Sequence, residues 1–222
     1  MYIVDRTVRF VRGFLLSFGP TSFKRALWDK EYSDEKWAFA YNTVGDPVYP
    51  YLEKYAAGGS ILDIGCGSGN TANELKNEAY QSYVGVDISE AALAKAAQRS
   101  RENGRQHKTR FECSDFFSYV PTREYDVVLF RESMYHVPLS KIRPMLQKYS
   151  ACLKRQGVVI VRLATRENGK LKYRPTKMIQ TIEAAFEVVE KYDNEKTGVN
   201  VVVCRPRQTV ERTEVLGEVA VG

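Results

Sequence analysis

The sequence predicts an α/β fold with a doubly wound, mostly parallel sheet of seven strands that ends in an antiparallel hairpin. From residue 60 onward, strand-like apolar runs alternate with helix-like segments, which is typical of βαβ units with right-handed crossovers. The last two apolar runs are separated by a turn with Asp193, Asn194 and Gly198, so they are expected to pair antiparallel. A chain of 222 residues that is 44% hydrophobic can bury one sizeable core.

The predicted elements follow the chain in a regular order. The first fifty residues have a mostly helical pattern and no obvious strand. Strand-like runs occur near residues 60–64, 82–87, 108–113, 125–130, 157–163, 185–192 and 199–204. Helix-like segments between the earlier strands cover residues 70–79, 89–103 and 138–153. Residues 206–222 lack a strong pattern and are predicted to form a flexible tail.

The first strand runs into a glycine-rich turn. Three alternate glycines, Gly65, Gly67 and Gly69, follow Asp63 and enclose Cys66 in the stretch Ser-Ile-Leu-Asp-Ile-Gly-Cys-Gly-Ser-Gly. Glycine allows positive φ and close backbone approach to a ligand, and a following helix would offer unpaired N–H groups. The turn therefore predicts a polar cradle for a cofactor, and the alternative is a glycine turn that binds nothing.

The glycine spacing separates two cofactor classes. The nicotinamide fingerprint has glycines at the first, third and sixth positions, and here Asn70 occupies the sixth. A carboxylate just before the turn does not suit a pyrophosphate, whereas Asp63 suits a cationic or hydroxyl-bearing ligand. A nicotinamide dehydrogenase is therefore disfavoured.

The second strand ends in another carboxylate, Asp87, which lies 22 residues after Gly65. In doubly wound sheets, ligands bind beyond the carboxyl ends of the strands, and an acid at this distance accepts hydrogen bonds from ribose hydroxyls. The alternative role for Asp87 is to cap the next helix, although Ser89 could do so instead.

In the acidic-x-Gly-x-Gly-x-Gly form of residues 63–69, the chain resembles the class I S-adenosylmethionine (SAM)-dependent methyltransferases of the small-molecule type. The resemblance implies the Rossmann-like methyltransferase fold, SAM as cofactor and S-adenosyl-L-homocysteine (SAH) as product. It also implies that Asp87 holds both ribose hydroxyls and that Ile88 packs on the adenine. Asp115 would accept a hydrogen bond from the adenine amino group, and the Phe116 N–H would donate to the ring. The alternative is that Asp115 is an ordinary loop aspartate.

The fourth strand and its loop resemble a further methyltransferase motif. The backbone around Phe130 and Arg131 would face the methionine part of the cofactor, and Arg131 could also hold a substrate carboxylate. The residues Met134-Tyr135-His136 match a Leu-His-His-like triplet of small-molecule methyltransferases, with Tyr135 near the substrate.

Two residues of this loop are candidate catalytic groups. His136 is the first candidate base, because an unperturbed imidazole titrates near pH 6.5, and its alternative role is structural. Glu132 is a second candidate base, or a group that binds a substrate amine.

Aromatic residues are dense between residues 23 and 55. The resemblance implies that this N-terminal segment closes over cofactor and substrate, and we expect Trp37 and Tyr41 to be lid residues. The alternative is that the aromatic residues pack the segment on the sheet. The predicted organisation is an N-terminal helical segment or lid over residues 1–50, a SAM-binding methyltransferase domain over 51–205 and the tail over 206–222.

The cysteine and histidine residues indicate the cellular compartment and whether a metal site is expected. The four cysteines are scattered without a C-x-x-C pair and no signal peptide is visible, which predicts reduced thiols in a cytoplasmic protein. Neither of the two histidines belongs to a metal-ligand spacing, so no metal site is expected. The sequence contains no run of eighteen apolar residues, so no transmembrane segment is predicted.

The partners are less well determined by the sequence. The interleaved arginines and apolar residues within residues 1–20 suit a helix packed on the domain or on a second subunit, as in a homodimer. The alternative is peripheral membrane contact through the same residues. Nucleic acid is disfavoured as a partner, because the net charge of +6 is modest and two nucleic-acid methyltransferase motifs are absent: Asn/Asp-Pro-Pro-Tyr/Phe and Pro-Cys.

These observations predict an enzyme that transfers a methyl group from SAM to a small-molecule acceptor by in-line displacement. No long insertion follows the fourth or fifth strand, so the substrate cap is small, which favours a small, aromatic or amphiphilic acceptor. The alternatives are an RNA or protein methyltransferase and a non-catalytic SAM-binding subunit.

Overall fold

The computed structural model describes residues 11–37, 42–167 and 170–207. Its strands are β1 (Ser60–Ile64), β2 (Ser82–Asp87), β3 (Thr109–Cys113), β4 (Tyr125–Arg131), β5 (Leu153–Ala164), β6 (Arg166–Glu167), β7 (Lys170–Leu171), β8 (Phe186–Asn194) and β9 (Val199–Pro206). Residues 11–18 are helical. The other helices are α1 (Thr21–Ser33), α2 (Val48–Ala56), α3 (Asn70–Glu74), α4 (Glu90–Glu102), α5 (Leu139–Ser150) and α6 (Tyr173–Ala185), with a 3-10 turn at Asn77–Ala79.

Seven strands form the main sheet, in the order β3-β2-β1-β4-β5-β9-β8. Strands β1 to β5 pair in parallel, and β9 pairs antiparallel with both β5 and β8. The predicted fold class and the terminal hairpin are therefore confirmed. Strand order reverses between β1 and β4, and ligands of open α/β sheets bind beyond the carboxyl ends of the strands at such a point.

Helices cover both faces of the sheet. Ile142 of α5 and Met178 of α6 pack against one face, and Leu52 of α2 packs against the other. All five residues of β1 are buried, which explains its nearly continuous apolar sequence, because central parallel strands are covered on both sides. These packed layers hold the strand ends in fixed positions.

Two parts of the predicted element order are wrong. The helix predicted over residues 70–79 ends at Glu74, because the Tyr80 hydroxyl and the Arg105 guanidinium occupy the Ala72 carbonyl that another helical turn would need. Helix α6 was not predicted, and Pro175 lies in its first turn, where proline is tolerated.

The division into lid, domain and tail stays a prediction. The boundary proposed at residue 50 falls inside α2, and only residues 206 and 207 of the proposed tail are described. In the three described ranges, each helix is too short or too polar to cross a bilayer.

Candidate functional site

One cavity of about 380 Å³ lies at the carboxyl ends of β1, β2 and β4. Most of the residues predicted for the site line it. They are Trp37, Asp63, Gly65, Cys66, Gly67, Asn70, Asp87, Ile88, Asp115, Phe116, Arg131, Glu132, Tyr135 and His136. The topology thus brings together residues that are up to a hundred positions apart in sequence.

Steric contacts explain why the turn after β1 needs glycines. Gly65 has φ +78°, and a Cβ there would lie 2.3 Å from the Ser133 Cβ. Gly67 has φ +54°, and a Cβ there would lie 2.5 Å from the Tyr32 hydroxyl oxygen. Gly69 does not line the cavity, because it packs against Ala96 where it precedes α3. The glycine turn is therefore packed between the loop after β4, which contains Ser133, and helix α1, which contains Tyr32.

Asp63 lies at the floor of the cavity and is only 1% exposed. Its Oδ2 accepts a hydrogen bond of 2.6 Å from the Tyr83 hydroxyl, whereas its Oδ1 has no hydrogen-bond partner among the described residues. Burial raises the pKa of Asp63 to about 6, although the Tyr83 hydrogen bond and the Arg131 charge act in the opposite direction. A buried carboxylate oxygen without a partner is ready to accept from a ligand.

Asp87 is held in place by backbone N–H groups. Its Oδ2 accepts from the Gly67 N–H at 2.9 Å, and its Oδ1 accepts from the Ser89 N–H at 3.0 Å. Burial raises the pKa of Asp87, and these hydrogen bonds oppose the shift. Ser89 caps α4 with its own hydroxyl, so Asp87 is not needed as the helix cap.

Asp115 begins a tight turn after β3. Its Oδ1 accepts from the Phe117 N–H at 2.8 Å, and its side chain is buried. Phe116 and Phe117 both line the cavity beside it, with ring centroids 5.0 Å apart. Sequence reasoning missed Phe117, which is a second apolar wall at this end of the cavity.

Arg131 and Glu132 are already engaged by other residues. Arg131 forms a 3.2 Å ion pair with Asp46, and Arg162 pairs with both Asp46 and Glu132. The Glu132 carboxylate also accepts from the Tyr135 hydroxyl at 2.5 Å. Glu132 has φ +54°, a strained conformation for a non-glycine residue that costs about 1–3 kcal/mol. The network holds the loop after β4 in position and leaves Glu132 less available as a base.

One other predicted residue lies away from the cavity lining. The Phe130 side chain is buried in the core, edge-on to Tyr149 at 5.5 Å. The prediction for Tyr41 falls outside the described residues.

His136 is half-buried under helix α1. Its ring lies 6.0 Å from Trp28, and neither ring nitrogen hydrogen-bonds to another described residue. Burial and the charges of Arg12 and Arg174 lower the pKa of His136 to about 4. The imidazole is therefore neutral at pH 7 and a weaker base than the unperturbed imidazole on which the prediction was based.

Aromatic residues of the N-terminal segment form one wall of the cavity. The Trp28 and Trp37 ring centroids are 5.7 Å apart, and Tyr32 lies 6.5 Å from Trp37. Beneath them, the buried Glu31 accepts two hydrogen bonds of 2.9 Å from Arg12. Sequence reasoning noted the aromatic density but did not single out Trp28 or Tyr32. A helical spacing of four between these two aromatic residues was the available signal.

Asp29 attaches helix α1 to the rest of the site. Its Oδ1 accepts from the Ser89 hydroxyl at 2.7 Å and from the Ala91 N–H at 3.1 Å, at the start of α4. Lys95 of α4 donates to the Tyr32 carbonyl at 2.7 Å. These contacts place α1 over the glycine turn.

The comparison with known families decides between cofactor classes. Residues 61–157, which contain the glycine turn and the ends of β1 to β4, match the family model of a methyltransferase domain. This segment matches a methyltransferase domain and makes up a little less than half of the chain.

Curated relatives of this methyltransferase domain act on very different molecules. The chain is 31% identical over 129 residues to an mRNA cap guanine-N(7) methyltransferase of Schizosaccharomyces pombe, covering 54% of this chain and 35% of that protein. It is 32% identical over 83 residues to 27-O-demethylrifamycin SV methyltransferase of Amycolatopsis mediterranei, covering 37% of this chain and 30% of that protein. The chain thus spans about a third of the length of these relatives.

Solved structures share the methyltransferase fold. The magnesium protoporphyrin IX methyltransferase of Synechocystis PCC 6803 with bound SAH has a TM-score of 0.64 and 16% identity, covering 84% of this chain and 100% of that chain. The N-methyltransferase NodS of Bradyrhizobium japonicum in complex with SAH has a TM-score of 0.63 and 16% identity, covering 83% of this chain and 98% of that chain. Within the described part of the chain, no cluster of three His, Cys, Asp or Glu residues could hold a metal ion.

Proposed function

We propose that this chain transfers a methyl group from SAM to a small apolar acceptor that carries an acidic hydroxyl group, and releases SAH. One observation supports this function above others. A single cavity joins the glycine turn and Asp87 on one side to His136, Trp28 and Trp37 on the other. One half of the cavity therefore suits the cofactor, and the other half suits an apolar acceptor.

The residues of the first half fit SAM. Asp63 has a free buried oxygen for the ammonium of the methionine part, Asp87 presents a carboxylate for the ribose hydroxyls, and Asp115 lies at the end expected for the adenine. A side chain at Gly65 would fill the cradle between them. When bound, SAM supplies an activated methyl group: the acceptor oxygen forms the new C–O bond, and the broken S–C bond leaves its electron pair on sulfur.

The affinity for SAM is expected to fall below pH 6. Asp63 must be ionised to bind an ammonium group, and its raised pKa of about 6 means that it becomes protonated as the pH falls through this value. Titration calorimetry is expected to give an affinity roughly tenfold weaker at pH 5 than at pH 7.5.

Asp63→Asn is the matched control, because its amide oxygen can still accept from Tyr83. This variant is expected to bind SAM more weakly at pH 7.5 and to lose most of the decline in affinity between pH 7.5 and pH 5. An unchanged decline in the variant would exclude Asp63 as its source.

The second half of the cavity offers only a weak base. His136 has a pKa of about 4, so it is neutral at pH 7 but a poor acceptor for the proton of an aliphatic alcohol. An acceptor with its own acidic hydroxyl, such as a phenol or enol, needs no stronger base. His136 then orients the hydroxyl by accepting a hydrogen bond from it, and the proton leaves to solvent as the methyl is transferred.

The charges around His136 also favour an oxygen anion. Arg12, Arg174 and Lys24 all lower its pKa, and Lys24 lines the cavity. The Arg12–Glu31 pair is neutral as a whole, and Glu31 raises the pKa of His136, so Arg174 and Lys24 supply the net positive charge. A developing phenolate is stabilised in such surroundings, whereas a protonated amine is repelled.

His136→Phe is expected to lower kcat about 100-fold, because the ring can still pack on Trp28 but no longer accepts the hydrogen bond that orients the acceptor hydroxyl. The Kd for SAM is expected to stay unchanged. His107→Phe, at the exposed second histidine, is the control and is expected to leave both constants unchanged.

The pH profile provides a separate check on His136. Turnover of the wild type is expected to show no inflection assignable to His136 between pH 6 and 9, because its pKa of about 4 lies below that range. An inflection near pH 6.5 that disappears in His136→Phe would contradict the lowered pKa.

The decisive test of the function is methyl transfer itself. The full chain is incubated with SAM labelled in the methyl group and with a panel of phenols, aliphatic alcohols and amines. Label in phenolic ethers, together with SAH formation, supports the proposal. SAM binding without label in any acceptor would favour the non-catalytic subunit.

A second acceptor class is supported by the relative in Schizosaccharomyces pombe. The N7 atom of a cap guanine carries no proton, so its methylation also needs no strong base, and Trp28 or Trp37 could stack on the guanine. Transfer of label to a capped RNA oligonucleotide but not to phenols would favour this class. His136→Phe would then reduce turnover much less.

The cytoplasm is the compartment that suits the chain best. Cys66, Cys113, Cys152 and Cys204 are all free thiols in the structure, and thiols persist in a reducing environment. Burial raises the pKa of the Cys66 thiol in the glycine turn, which keeps it protonated and unreactive beside the cofactor.

A further inference from the structure

The helical segment of residues 11–18 turns one apolar face to the solvent. Val11, Phe14 and Phe18 are 48%, 55% and 63% exposed, and their spacing places them on the same side of the helix. The Phe14 and Phe18 ring centroids are 5.3 Å apart, so the two rings form one patch. We call these three residues the phenylalanine face. The opposite side of the helix, with Leu16 and Ser17, is buried against the protein.

Two cation-rich segments adjoin the helical segment that carries the phenylalanine face, and we call their Lys and Arg residues the cationic rim. Residues 11–28 and 172–182 contain six Lys and Arg residues and no Asp or Glu. The six are Arg12, Lys24, Arg25, Lys172, Arg174 and Lys177. The two segments meet where Arg174 donates to the Ser17 hydroxyl at 3.4 Å and to the Val137 carbonyl at 2.8 Å. The pair with Glu31 neutralises Arg12, and Lys172 has contacts of its own, so the excess of positive charge is attributed to Lys24, Arg25, Arg174 and Lys177.

We propose that the phenylalanine face docks on an anionic lipid bilayer. Aromatic and aliphatic side chains enter the boundary between headgroups and acyl chains, and neighbouring Lys and Arg residues are attracted to anionic headgroups. The exposed apolar patch beside a cationic rim provides both contributions on one surface.

The chemistry of this surface favours a bilayer over two other occupants. In a symmetric dimer the same patch meets its own copy, which would bring two cationic rims together. RNA is recognised through hydrogen bonds as well as stacking and charge, and Val11, Phe14 and Phe18 carry no hydrogen-bonding side-chain group. A lipid surface satisfies the apolar patch and the cations together.

The docked surface adjoins the cavity. Leu16, from the buried side of the same helical segment, lines the cavity together with Lys24 and Phe117, and Phe117 is itself 39% exposed. An apolar acceptor dissolved in the bilayer could therefore enter the acceptor half from the lipid. This consequence rests on the proposed function, whereas the docking itself does not.

Vesicle sedimentation tests the docking with the full chain. Vesicles of phosphatidylcholine alone are compared with vesicles of phosphatidylcholine mixed with phosphatidylglycerol. Binding is expected to be at least about tenfold stronger to the anionic vesicles and to weaken with added salt. The double variant Phe14→Glu/Phe18→Glu is expected to reduce this binding by at least about tenfold. Val120→Glu, at an isolated valine that is 70% exposed, is the matched control and is expected to bind like the wild type.

Two further measurements separate the possible outcomes. The SAM affinity of the double variant, measured by calorimetry, is expected to match the wild type, which shows that the variant is folded. Absence of vesicle binding, or equal binding by the double variant, overturns the docking proposal even if methyl transfer is observed. The proposal is also overturned if the wild type does not bind vesicles but forms a dimer or an RNA complex, and the double variant disrupts that complex.

Discussion

Gly65→Ala is expected to abolish measurable SAM binding and to destabilise the protein by about 2–5 kcal/mol. A Cβ at this position would lie 2.3 Å from the Ser133 Cβ, a distance that side chains do not tolerate. The residue also has φ +78°, which costs an alanine about 1–2 kcal/mol, and overpacking adds about 1–3 kcal/mol. Relief of the clash must displace either the turn or the loop after β4, and both line the cavity.

Gly104→Ala is the matched control for backbone strain. Gly104 has φ +66°, but a Cβ there would meet no atom within 4 Å. This variant is expected to lose about 1–2 kcal/mol of stability and to keep its SAM affinity. Urea unfolding and titration calorimetry measure the two quantities separately. If Gly65→Ala bound SAM like Gly104→Ala, the close approach of the turn to the β4 loop would be irrelevant to binding.

The fold and the meeting of three strand-end aspartates at one cavity could be predicted because their signals are local. Strand β1 is buried along its whole length and therefore has an apolar sequence, interrupted only by Asp63. Asp63, Asp87 and Asp115 stand at or after the ends of three parallel strands. Parallel topology brings such ends to one edge of the sheet, so three separate sequence signals predicted one cavity.

The loop after β4 could not be predicted in the same way, because its contacts are distant in sequence. Asp46 approaches Arg131 and Arg162 across 85 and 116 positions, respectively. These ion pairs involve Arg131 and, through Arg162, Glu132, both predicted from the sequence as substrate-binding groups. Local pattern does not show which charged side chains find a partner after folding.

The acceptor half was the hardest part to predict, because it depends on where helix α1 docks. Trp28 and Tyr32 reach the cavity only because Asp29 attaches the helix to the start of α4. The same docking covers His136 and brings Arg12 near it, which lowers the pKa of the histidine to about 4. An unperturbed value was the only one that the sequence could provide.

Asp87→Ala is expected to weaken SAM binding by roughly 100-fold. Hydrogen bonds to a charged group contribute about 1.5–3 kcal/mol each, and loss of about 3 kcal/mol corresponds to this factor. The substitution also removes the acceptor of the Gly67 N–H, so the glycine turn loses a contact that holds it toward β2. Both effects act on the same half of the cavity, and calorimetry at pH 7.5 measures their sum.

Asp126→Ala separates this effect from a general loss of stability. Asp126 lies at the opposite end of the sheet, where its Oδ2 accepts from the Ser60 N–H at 2.7 Å and from the Ser60 hydroxyl at 2.8 Å. Asp126→Ala removes about as many hydrogen bonds as Asp87→Ala does, but none of them lies at the cavity. Asp126→Ala is therefore expected to lower the free energy of unfolding while SAM affinity stays near the wild-type value. Equal affinities in the two variants would mean that Asp87 acts only through stability and not as the ribose acceptor.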